Sequence, residues 1–390
     1  MVHTHERLPT VPARRALRTL GVEEEFLLVD GATLQPVPAA EETLAAASRL
    51  PGVVVGPRRS PIAFHAELQR EQVEVASPPV RTRSELVAVI TEGRQAVDRA
   101  ARSVGARALP VATAPDACAP HIASPARYQE IAARFGATAH EQLTCGMHIH
   151  VAVESPEEGV GVLDRVRAWL PVVLALSANS PFWHGGDTGF ASYRYQAWGR
   201  WPTAGPTEIF GSLDAYRREV ADAVASGVCL DSGMIYFDAR LSDHAPTVEV
   251  RIADVCLLPE DAVTIPLLVR ALVDRAAADW NAGIPPLDRS GTSLRLASWR
   301  ASRWGLEGDL VHPIDLSLVP ATAAVDALLG HVDEHYFTSV ERSQVRDGVA
   351  AILTRGTGAA LQRAAVRRDG DIRSAASEVL RRGTVTASTM

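Results

Sequence analysis

Four short stretches of the chain carry charged or metal-binding side chains on alternate residues of segments that otherwise look like β-strands. They are residues 21–29, 67–74, 145–151 and 247–252. Side chains on a strand alternate between its two faces, so three pairs each share one face: Glu23 with Glu25, His148 with His150, and Glu249 with Arg251. Grouped carboxylates repel one another, so such a set makes most sense around divalent cations. The pattern predicts a metal-dependent active site on one face of a sheet.

The segment from Glu67 to Glu74 fits this scheme only if its strand is interrupted. On a regular strand Glu67 and Glu71 share a face, and Glu74 lies on the other. A bulge or a turn is needed to bring Glu67 and Glu74 together. A helix would instead place all three acids on one stripe. The segment alone leaves these alternatives open, together with that of a solvated face.

Each pattern also has an explanation that needs no metal. Glu23 and Glu25 would suit the solvated face of an edge strand. Glu249 and Arg251 would suit a cross-strand ion pair. A single histidine in an apolar strand is usually a core residue, but two on one face favour a functional role, because neutral imidazole is a general metal ligand.

Composition excludes several classes of function. The 390 residues are 47% hydrophobic and 22% charged, so the chain can bury a substantial core. Its net charge of −7 gives no reason to expect nucleic acid or an anionic membrane as a partner. Pro171 and Arg270 interrupt the longest apolar runs, which are too short to span a bilayer. We expect a cytoplasmic protein with four reduced, mostly buried cysteines.

The chain contains no lysine, because all 39 basic residues are arginine. A P-loop and a protein kinase each need a lysine on the phosphates of their nucleotide, and pyridoxal phosphate needs a lysine amine. These classes are therefore excluded. If the protein uses a nucleotide, arginine and metal must bind its phosphates.

Strands mixed irregularly with long helices predict an α+β fold, a mostly antiparallel sheet with helices on one face. We expect one catalytic domain over residues 20–375, between a flexible N-terminal tail (1–19) and a C-terminal tail (376–390). Ser84 is the expected cap of a long helix. Residues 179–206 mix glycine, aromatic and arginine residues without periodicity, which predicts a substrate lid or pocket wall, or else a packed surface loop.

Several motifs in the same order resemble the carboxylate–amine ligases of the glutamate–cysteine ligase type 2 family. They are Gly-Val-Glu-Glu-Glu-Phe (21–26), Thr-Cys-Gly-Met-His-Ile-His-Val (144–151), Ser-Ala-Asn-Ser-Pro-Phe-Trp (177–183), Asp-Thr-Gly-Phe-Ala-Ser-Tyr-Arg (187–194), Arg-Trp-Pro (200–202) and Val-Glu-Val-Arg-Ile-Ala-Asp (248–254). The resemblance covers about residues 18–370. It implies a glutamine synthetase-like catalytic fold, a curved, mostly antiparallel sheet whose concave face holds ATP and divalent metals, with helices outside.

The resemblance also implies roles for individual residues. The residues expected to face the metals are Glu23, Glu25, Glu67, Glu74, His148 and Glu249, and His150 would either bind metal or support a ligand. Glu249 and Arg251 are the expected catalytic residues, with Arg251 near the transferred phosphate. The expected substrate-binding residues are Tyr193, Arg194 and Arg200, and the expected phosphate-binding residues are Arg300 and Arg303.

The implied activity is ATP-dependent amide formation through an acyl phosphate, with Mg²⁺ or Mn²⁺, on small-molecule carboxylate and amine substrates. Glutamate–cysteine ligase activity and a homodimer are expected from the same resemblance. The main alternative is a zinc-dependent amide hydrolase that uses the His148-x-His150 strand. A nucleotide-binding protein without catalysis is a third possibility.

Overall fold

An eight-stranded, mostly antiparallel sheet forms the centre of the protein in the computed structural model, which describes residues 18–56, 62–333 and 338–383. The described strands are β1 (Leu20–Asp30), β2 (Val53–Val55), β3 (Ile62–Ala66), β4 (Gln72–Ala76), β5 (Ala106–Leu109), β6 (Met147–Ala152), β7 (Phe182–Trp183), β8 (Gly186–Asp187), β9 (Ala239–Leu241), β10 (Thr247–Val250), β11 (Asp309–Val311) and β12 (Leu318–Pro320). The strand order is β2-β3-β4-β1-β6-β10-β9, and β5 pairs with the end of β1. Of these pairs, β2 with β3 is parallel and the others are antiparallel.

Helices pack against this sheet and form most of the C-terminal third. They are α1 (Ala40–Ala47), α2 (Arg83–Arg102), α3 (Ala126–Phe135), α4 (Ala137–His140), α5 (Pro156–Val166), α6 (Leu170–Ser177), α7 (Tyr193–Trp198), α8 (Leu213–Ala225), α9 (Pro259–Asn281), α10 (Gly291–Trp304), α11 (Ala321–Val332), α12 (Ser339–Arg355), α13 (Gly358–Asp369) and α14 (Arg373–Gly383). Helices α1, α2, α5 and α9 contact the sheet directly. The predicted mixture of helices with a mostly antiparallel sheet is confirmed.

Local sequence explains where two long helices begin. Helix α2 is capped by Thr82, not by the predicted Ser84: the Thr82 hydroxyl accepts from the Glu85 N–H, and the Glu85 carboxylate accepts from the Thr82 N–H. Helix α9 begins at Pro259, where a missing N–H costs nothing, and two acids occupy its first turn.

The two faces of the central strands differ in chemistry. Val22, Ile149 and Val250 share one face and are buried in the largest hydrophobic cluster, which includes α9. Glu24 lies on this same apolar face. Its carboxylate receives two hydrogen bonds from Arg94 of α2, at 2.6 and 3.2 Å, and both side chains are almost fully buried. Pairing and hydrogen bonding are what allow these charges in the interior.

Arg94 connects distant parts of the fold. It also donates to the main-chain carbonyls of Cys256 (2.7 Å), Leu257 (3.1 Å) and Gly383 (3.3 Å). Through this one guanidinium, β1, the segment after β10 and the end of α14 are held together.

The chain ends are more structured than expected over the described residues. The tail prediction is wrong for residues 376–383, which belong to α14, because Ala376 and Val379 are buried in an apolar cluster with Leu361. Arg18 forms ion pairs with Glu158 (2.6 Å) and Asp274 (2.8 Å). The rest of the two predicted tails, residues 1–17 and 384–390, lies outside the described residues. Within the described part of the chain, no helix is both long and apolar enough to cross a membrane.

Candidate functional site

Three adjacent strands bring the predicted acids and histidines to the face of the sheet opposite the apolar one. In the pairing of β1 with β6, Glu23 lies opposite His148. In the pairing of β6 with β10, His150 lies opposite Glu249. Because directly opposed residues in antiparallel strands share a face, these side chains converge as the alternation pattern predicted.

The 67–74 segment contributes because its strand is broken. Glu67 follows the end of β3, and the chain turns before β4, where Glu74 lies opposite Glu25 of β1. Both Glu67 and Glu74 line the same cavity. Glu71 does not: it is 2% exposed, and its carboxylate accepts from the His121 N–H at 3.0 Å and contacts the His121 ring at 2.6 Å. The turn, among the alternatives left open by the sequence, is the one the structure contains.

These side chains line a cavity of about 280 Å³. The predicted metal-facing residues are all part of its lining, together with His150 and Arg251: Glu23, Glu25, Glu67, Glu74, His148 and Glu249. Two groups within it could each hold a metal ion, Glu23 with His148 and Glu249, and Glu25 with Glu74 and His148. In each group one ligand atom per residue lies within 4.8 Å of the others. His148 belongs to both groups, so it lies at the centre of the candidate metal centre.

Glu67 and Glu74 are poorly compensated by positive charge. Burial, reinforced by the charge of Glu25, raises the pKa of Glu67 to about 8. Burial, reinforced by the charge of Glu23, raises the pKa of Glu74 well above its usual range. Among the described residues, the ion pairs of this cavity involve Glu23, Glu25 and Glu249 rather than these two carboxylates. A cation beside Glu67 and Glu74 would remove the repulsion that favours their protonation.

Glu23 is held in its ionised form by the two histidines. Burial alone would raise its pKa, but hydrogen bonds with His148 (3.2 Å) and His150 (3.2 Å) outweigh burial and hold the pKa of Glu23 well below its usual range. Burial, together with the charge of Arg251, lowers the pKa of His148. A neutral imidazole beside an ionised carboxylate is the protonation state that metal binding requires.

Glu249 is held by two arginines. Burial would raise its pKa, but Arg251 and Arg240 outweigh that effect and lower the pKa of Glu249 far below its usual range. Arg240 is its cross-strand partner and donates to it at 2.8 Å, and Arg251 also donates to it. Arg240 further donates to the Ile235 carbonyl at 3.0 Å, which fixes the direction of its guanidinium.

The donor set fits divalent metals that prefer oxygen ligands, such as Mg²⁺ or Mn²⁺. Six carboxylates face three arginines in the cavity lining: Glu23, Glu25, Glu67, Glu74, Glu249 and Asp243, against Arg127, Arg240 and Arg251. With the histidines neutral, an excess of three negative charges remains when these carboxylates are ionised. Divalent cations would offset this excess, so the residues present suit metals with hard ligands.

Comparison with known proteins identifies the relatives of this chain. The sequence model of Glutamate–cysteine ligase family 2 matches residues 19–378. The chain belongs to this family. A curated family protein of Paenarthrobacter aurescens, provisionally named glutamate–cysteine ligase 2-1, is 50% identical over 91% of this chain and 92% of its own length. A protein of Streptomyces avermitilis with the same provisional name is 48% identical over 94% of this chain and 99% of its own length.

Solved structures show the same fold at low sequence identity. The glutamate–cysteine ligase from Francisella tularensis in complex with AMP aligns with a TM-score of 0.66 and 12% identity, over 95% of this chain and 89% of that chain. A bifunctional glutathione synthetase from Pasteurella multocida aligns with a TM-score of 0.66 and 13% identity, over 94% of this chain and 52% of that one. Membership in Glutamate–cysteine ligase family 2 makes the chain a ligase, and it does not favour the zinc hydrolase alternative.

Several lining residues of this family member were not predicted from the sequence. Arg240 is one, because nothing in Ala-Arg-Leu marks it until β9 pairs with β10. An aromatic wall is another: Tyr128, Trp198, Trp201 and Tyr236 line the cavity, with Trp198 and Tyr236 ring centres 4.8 Å apart. The two tryptophans come from the aromatic-rich stretch 179–206, so the pocket-wall interpretation of that stretch agrees with their positions.

Five arginine and tyrosine candidates lie outside this lining. Arg303 donates to the Gly189 carbonyl and stacks on Trp304, with Cζ 4.0 Å from the ring centre. Arg300 donates to the Asp309 carbonyl at 2.8 Å. The others have different neighbours: Tyr193 packs near Trp183 and Phe190, Arg200 pairs with Glu141 at 2.6 Å, and Arg194 is buried behind the cavity wall. These contacts provide no geometric support for direct substrate or phosphate binding in the acidic cavity.

Proposed function

We propose that the protein is an ATP-dependent carboxylate–amine ligase that forms an amide through an acyl phosphate. One observation carries the proposal: buried and half-buried glutamates face three arginines in a single cavity of a Glutamate–cysteine ligase family 2 chain. Two of its relatives bear provisional names that include glutamate and cysteine as substrates. Glutamate and cysteine are therefore the first pair to test, before other small carboxylates and amines.

The metals proposed for this reaction are Mg²⁺ or Mn²⁺, held by the glutamates and His148. They would neutralise charge on the phosphates of ATP while the substrate carboxylate approaches the γ-phosphorus. The absence of lysine agrees with phosphate binding by metal and arginine, because arginine is then the only permanently cationic side chain in the sequence.

Arg251 is proposed to reduce the repulsion between the two anions. Unit charges at ~4 Å repel by roughly 4 kcal/mol at an effective dielectric constant near 20. The bond from Arg251 to Glu249 directs the guanidinium along the cavity wall, and burial of the pair limits screening by water. Fixed donors of this kind stabilise developing charge without reorganising during the reaction.

The aromatic wall is proposed to protect the acyl phosphate from water. Trp201 is 2% exposed and packs with Trp198 and Tyr236, and all three line the cavity. A closed, water-poor site favours attack by the amine over hydrolysis of the intermediate. The same rings offer an apolar surface to the body of a substrate.

The test is a coupled measurement of ADP and amide in the presence of ATP and Mg²⁺, with a panel of carboxylates and amines. Equimolar ADP and amide are expected. With a carboxylate labelled with ¹⁸O, one label per amide should appear in inorganic phosphate, because acyl-phosphate formation transfers a carboxylate oxygen. Amide formation without ADP, or amide hydrolysis without ATP, would overturn the proposal.

A homodimer and a cytoplasmic location are part of the same proposal, by resemblance to the family. Sedimentation of the purified protein tests the first, and fractionation of the source cells tests the second. A monomer at the concentration of the activity assay would refute the dimer.

A further inference from the structure

We propose that Arg194 is a positioning residue of the ligase site, which sets the places of Arg251 and Glu25 and does not bind substrate. This inference rests on the proposed function, because the two residues that it positions are candidates for phosphate contact and metal binding. It replaces the substrate-binding role expected for Arg194 from the resemblance.

The guanidinium of Arg194 lies behind the cavity wall and holds the main chain at Arg251. Arg194 is 2% exposed and is not part of the cavity lining. It donates to the carbonyl of Arg251 at 3.2 Å and to the carbonyl of Ile252 at 3.3 Å. A forked, planar group with two donors can fix two consecutive carbonyls, so it sets the direction in which the Arg251 side chain leaves the backbone.

The same guanidinium also packs against Gly146, which contacts Glu25. A Cβ built at Gly146 would lie 2.8 Å from Cζ of Arg194, so the guanidinium occupies the space of the missing side chain. Gly146 donates its N–H to the Glu25 carboxylate at 2.5 Å and accepts from the Glu25 N–H at 3.1 Å. Glu25 is thus oriented by a glycine whose own position depends on Arg194.

Arg194 is itself fixed by a buried network around Asp254. The Asp254 carboxylate accepts from the hydroxyls of Ser180 (2.7 Å) and Ser192 (2.9 Å), and lies 3.8 Å from the Arg194 guanidinium. Ser180 in turn accepts from the Arg194 N–H at 3.0 Å. The main chain and the side chain of Arg194 are therefore both fixed by hydrogen bonds. A fixed guanidinium suits a positioning role, because it cannot move toward a bound substrate.

The experiment compares Arg194→Met with Arg167→Met. Arg167 is a matched control, because it is 4% exposed and donates to the Thr207 carbonyl at 2.8 Å, away from the cavity lining. Both variants lose a buried guanidinium bound to main chain, so both should lose stability in chemical unfolding. For Arg194→Met we expect a kcat lower by about 100-fold and nearly unchanged KM values for both substrates, because a small displacement of reacting groups mainly affects the chemical step.

Direct Mn²⁺ binding, followed by electron paramagnetic resonance, separates positioning from a purely structural role. The supporting partners of metal ligands typically change metal affinity by about 10–100-fold. We expect a loss in that range for Arg194→Met and none for Arg167→Met. Gly146→Ala should cause the same loss, and adding it to Arg194→Met should cause little more, because both changes act on one contact.

Three results would overturn the inference. A raised KM for one substrate, with kcat and Mn²⁺ binding unchanged, would restore the substrate-binding role. If Arg194→Met and Arg167→Met change kcat and Mn²⁺ affinity equally, per folded molecule, Arg194 has only a structural role. If Arg194→Met does not fold, Arg194→Lys and Gly146→Ala are measured in its place. Wild-type Mn²⁺ affinity in both of these variants would refute the inference. If the wild type forms no amide, the proposed function fails instead, while the Mn²⁺ measurement still tests the positioning of Glu25.

Discussion

Glu74 lies directly opposite Glu25 in the antiparallel pairing of β4 with β1, so two carboxylates project side by side into the cavity. Like charges directly opposite each other destabilise a sheet. A cation bound between the two carboxylates would remove this repulsion, and we therefore interpret the pairing as part of a metal site. The pairing also makes the stability of the metal-free protein depend on pH and on divalent cations.

The first prediction concerns Glu67→Gln in the absence of metal. The folded-state pKa of Glu67 is raised to about 8, so the folded protein binds more protons than the unfolded chain between about pH 4.5 and 8. Stability should fall as pH rises through this window. Glutamine removes the charge, so we expect a melting temperature higher by roughly 2–6 °C at pH 8 with chelator, and little change at pH 4.5. Added Mg²⁺ should stabilise the wild type more than the variant, and an equal gain would count against a metal role for Glu67.

The second prediction concerns Glu23→Gln. An amide keeps the shape of the side chain but cannot supply the negative charge that the two histidines stabilise. We expect ADP release to fall by about 100-fold or more, a loss typical for a group that acts on the transition state. Circular dichroism should show an unchanged fold. Turnover close to that of the wild type would refute the metal role of Glu23.

The third prediction concerns Arg251→Lys. Lysine keeps the charge but presents a point charge on a flexible stem in place of a planar fork, so the bond to Glu249 and a phosphate contact cannot both be kept. We expect kcat to fall by at least about 10-fold, with smaller changes in KM. Steady-state kinetics with varied ATP and varied carboxylate measure both quantities. An unchanged kcat would show that charge alone suffices at this position.

The fourth prediction concerns Asp238, a buried carboxyl that bonds with the Tyr195 hydroxyl at 3.1 Å. Burial raises its pKa to about 7, against the opposing effect of that bond. A raised pKa means that the folded protein loses stability as pH rises from about 4 to 7, and that the full cost persists above pH 7. Asp238→Asn should therefore be more stable than the wild type by up to roughly 4 kcal/mol at pH 8 and nearly equal to it near pH 4. A difference between the two proteins that does not vary with pH would contradict the assignment.

The fifth prediction concerns the buried pair beneath the site. Arg94→Met leaves the Glu24 carboxylate buried without its partner, which should cost roughly 3–5 kcal/mol in the free energy of unfolding. The double variant Glu24→Gln with Arg94→Met should recover part of that loss, because no unpaired charge remains. Denaturant unfolding of the three proteins measures both effects. A double variant less stable than Arg94→Met alone would contradict the explanation.

Strand alternation was enough to predict which side chains of one strand share a face, because direction on a strand depends on position alone. Glu23 could be placed with Glu25, and His148 with His150, without knowing how their strands pair. That these two pairs share a face of the sheet follows from the register of β1 with β6. The turn that joins Glu67 and Glu74 could be stated as a condition but not chosen, since a bulge, a turn and a helix all fit that local sequence.

The remaining residues of the site depend on long-range pairing that no local pattern contains. Arg240 reaches Glu249 because β9 pairs with β10 in one particular register. Arg303 is not part of the cavity lining, and its guanidinium donates to the carbonyl of Gly189, a residue far away in the chain. The cap of α2 was misplaced by two residues, because Ser84 and Thr82 are both good caps and the bond with Glu85 decides between them.

Three consecutive glutamates, Glu23-Glu24-Glu25, do not by themselves determine the register in which β1 pairs with its neighbours. Displacement of β1 by one residue would still place an acid, Glu24, in the cavity. It would also move the charges of Glu23 and Glu25 to the apolar face, where Arg94 can neutralise only one carboxylate. Arg94 therefore helps to select the register of β1. It stabilises the alignment that places Glu24 on the apolar face, and it cannot neutralise the two carboxylates of the displaced alignment. The alignment of the acidic face of the sheet then depends on an ion pair that lies on the opposite, apolar face.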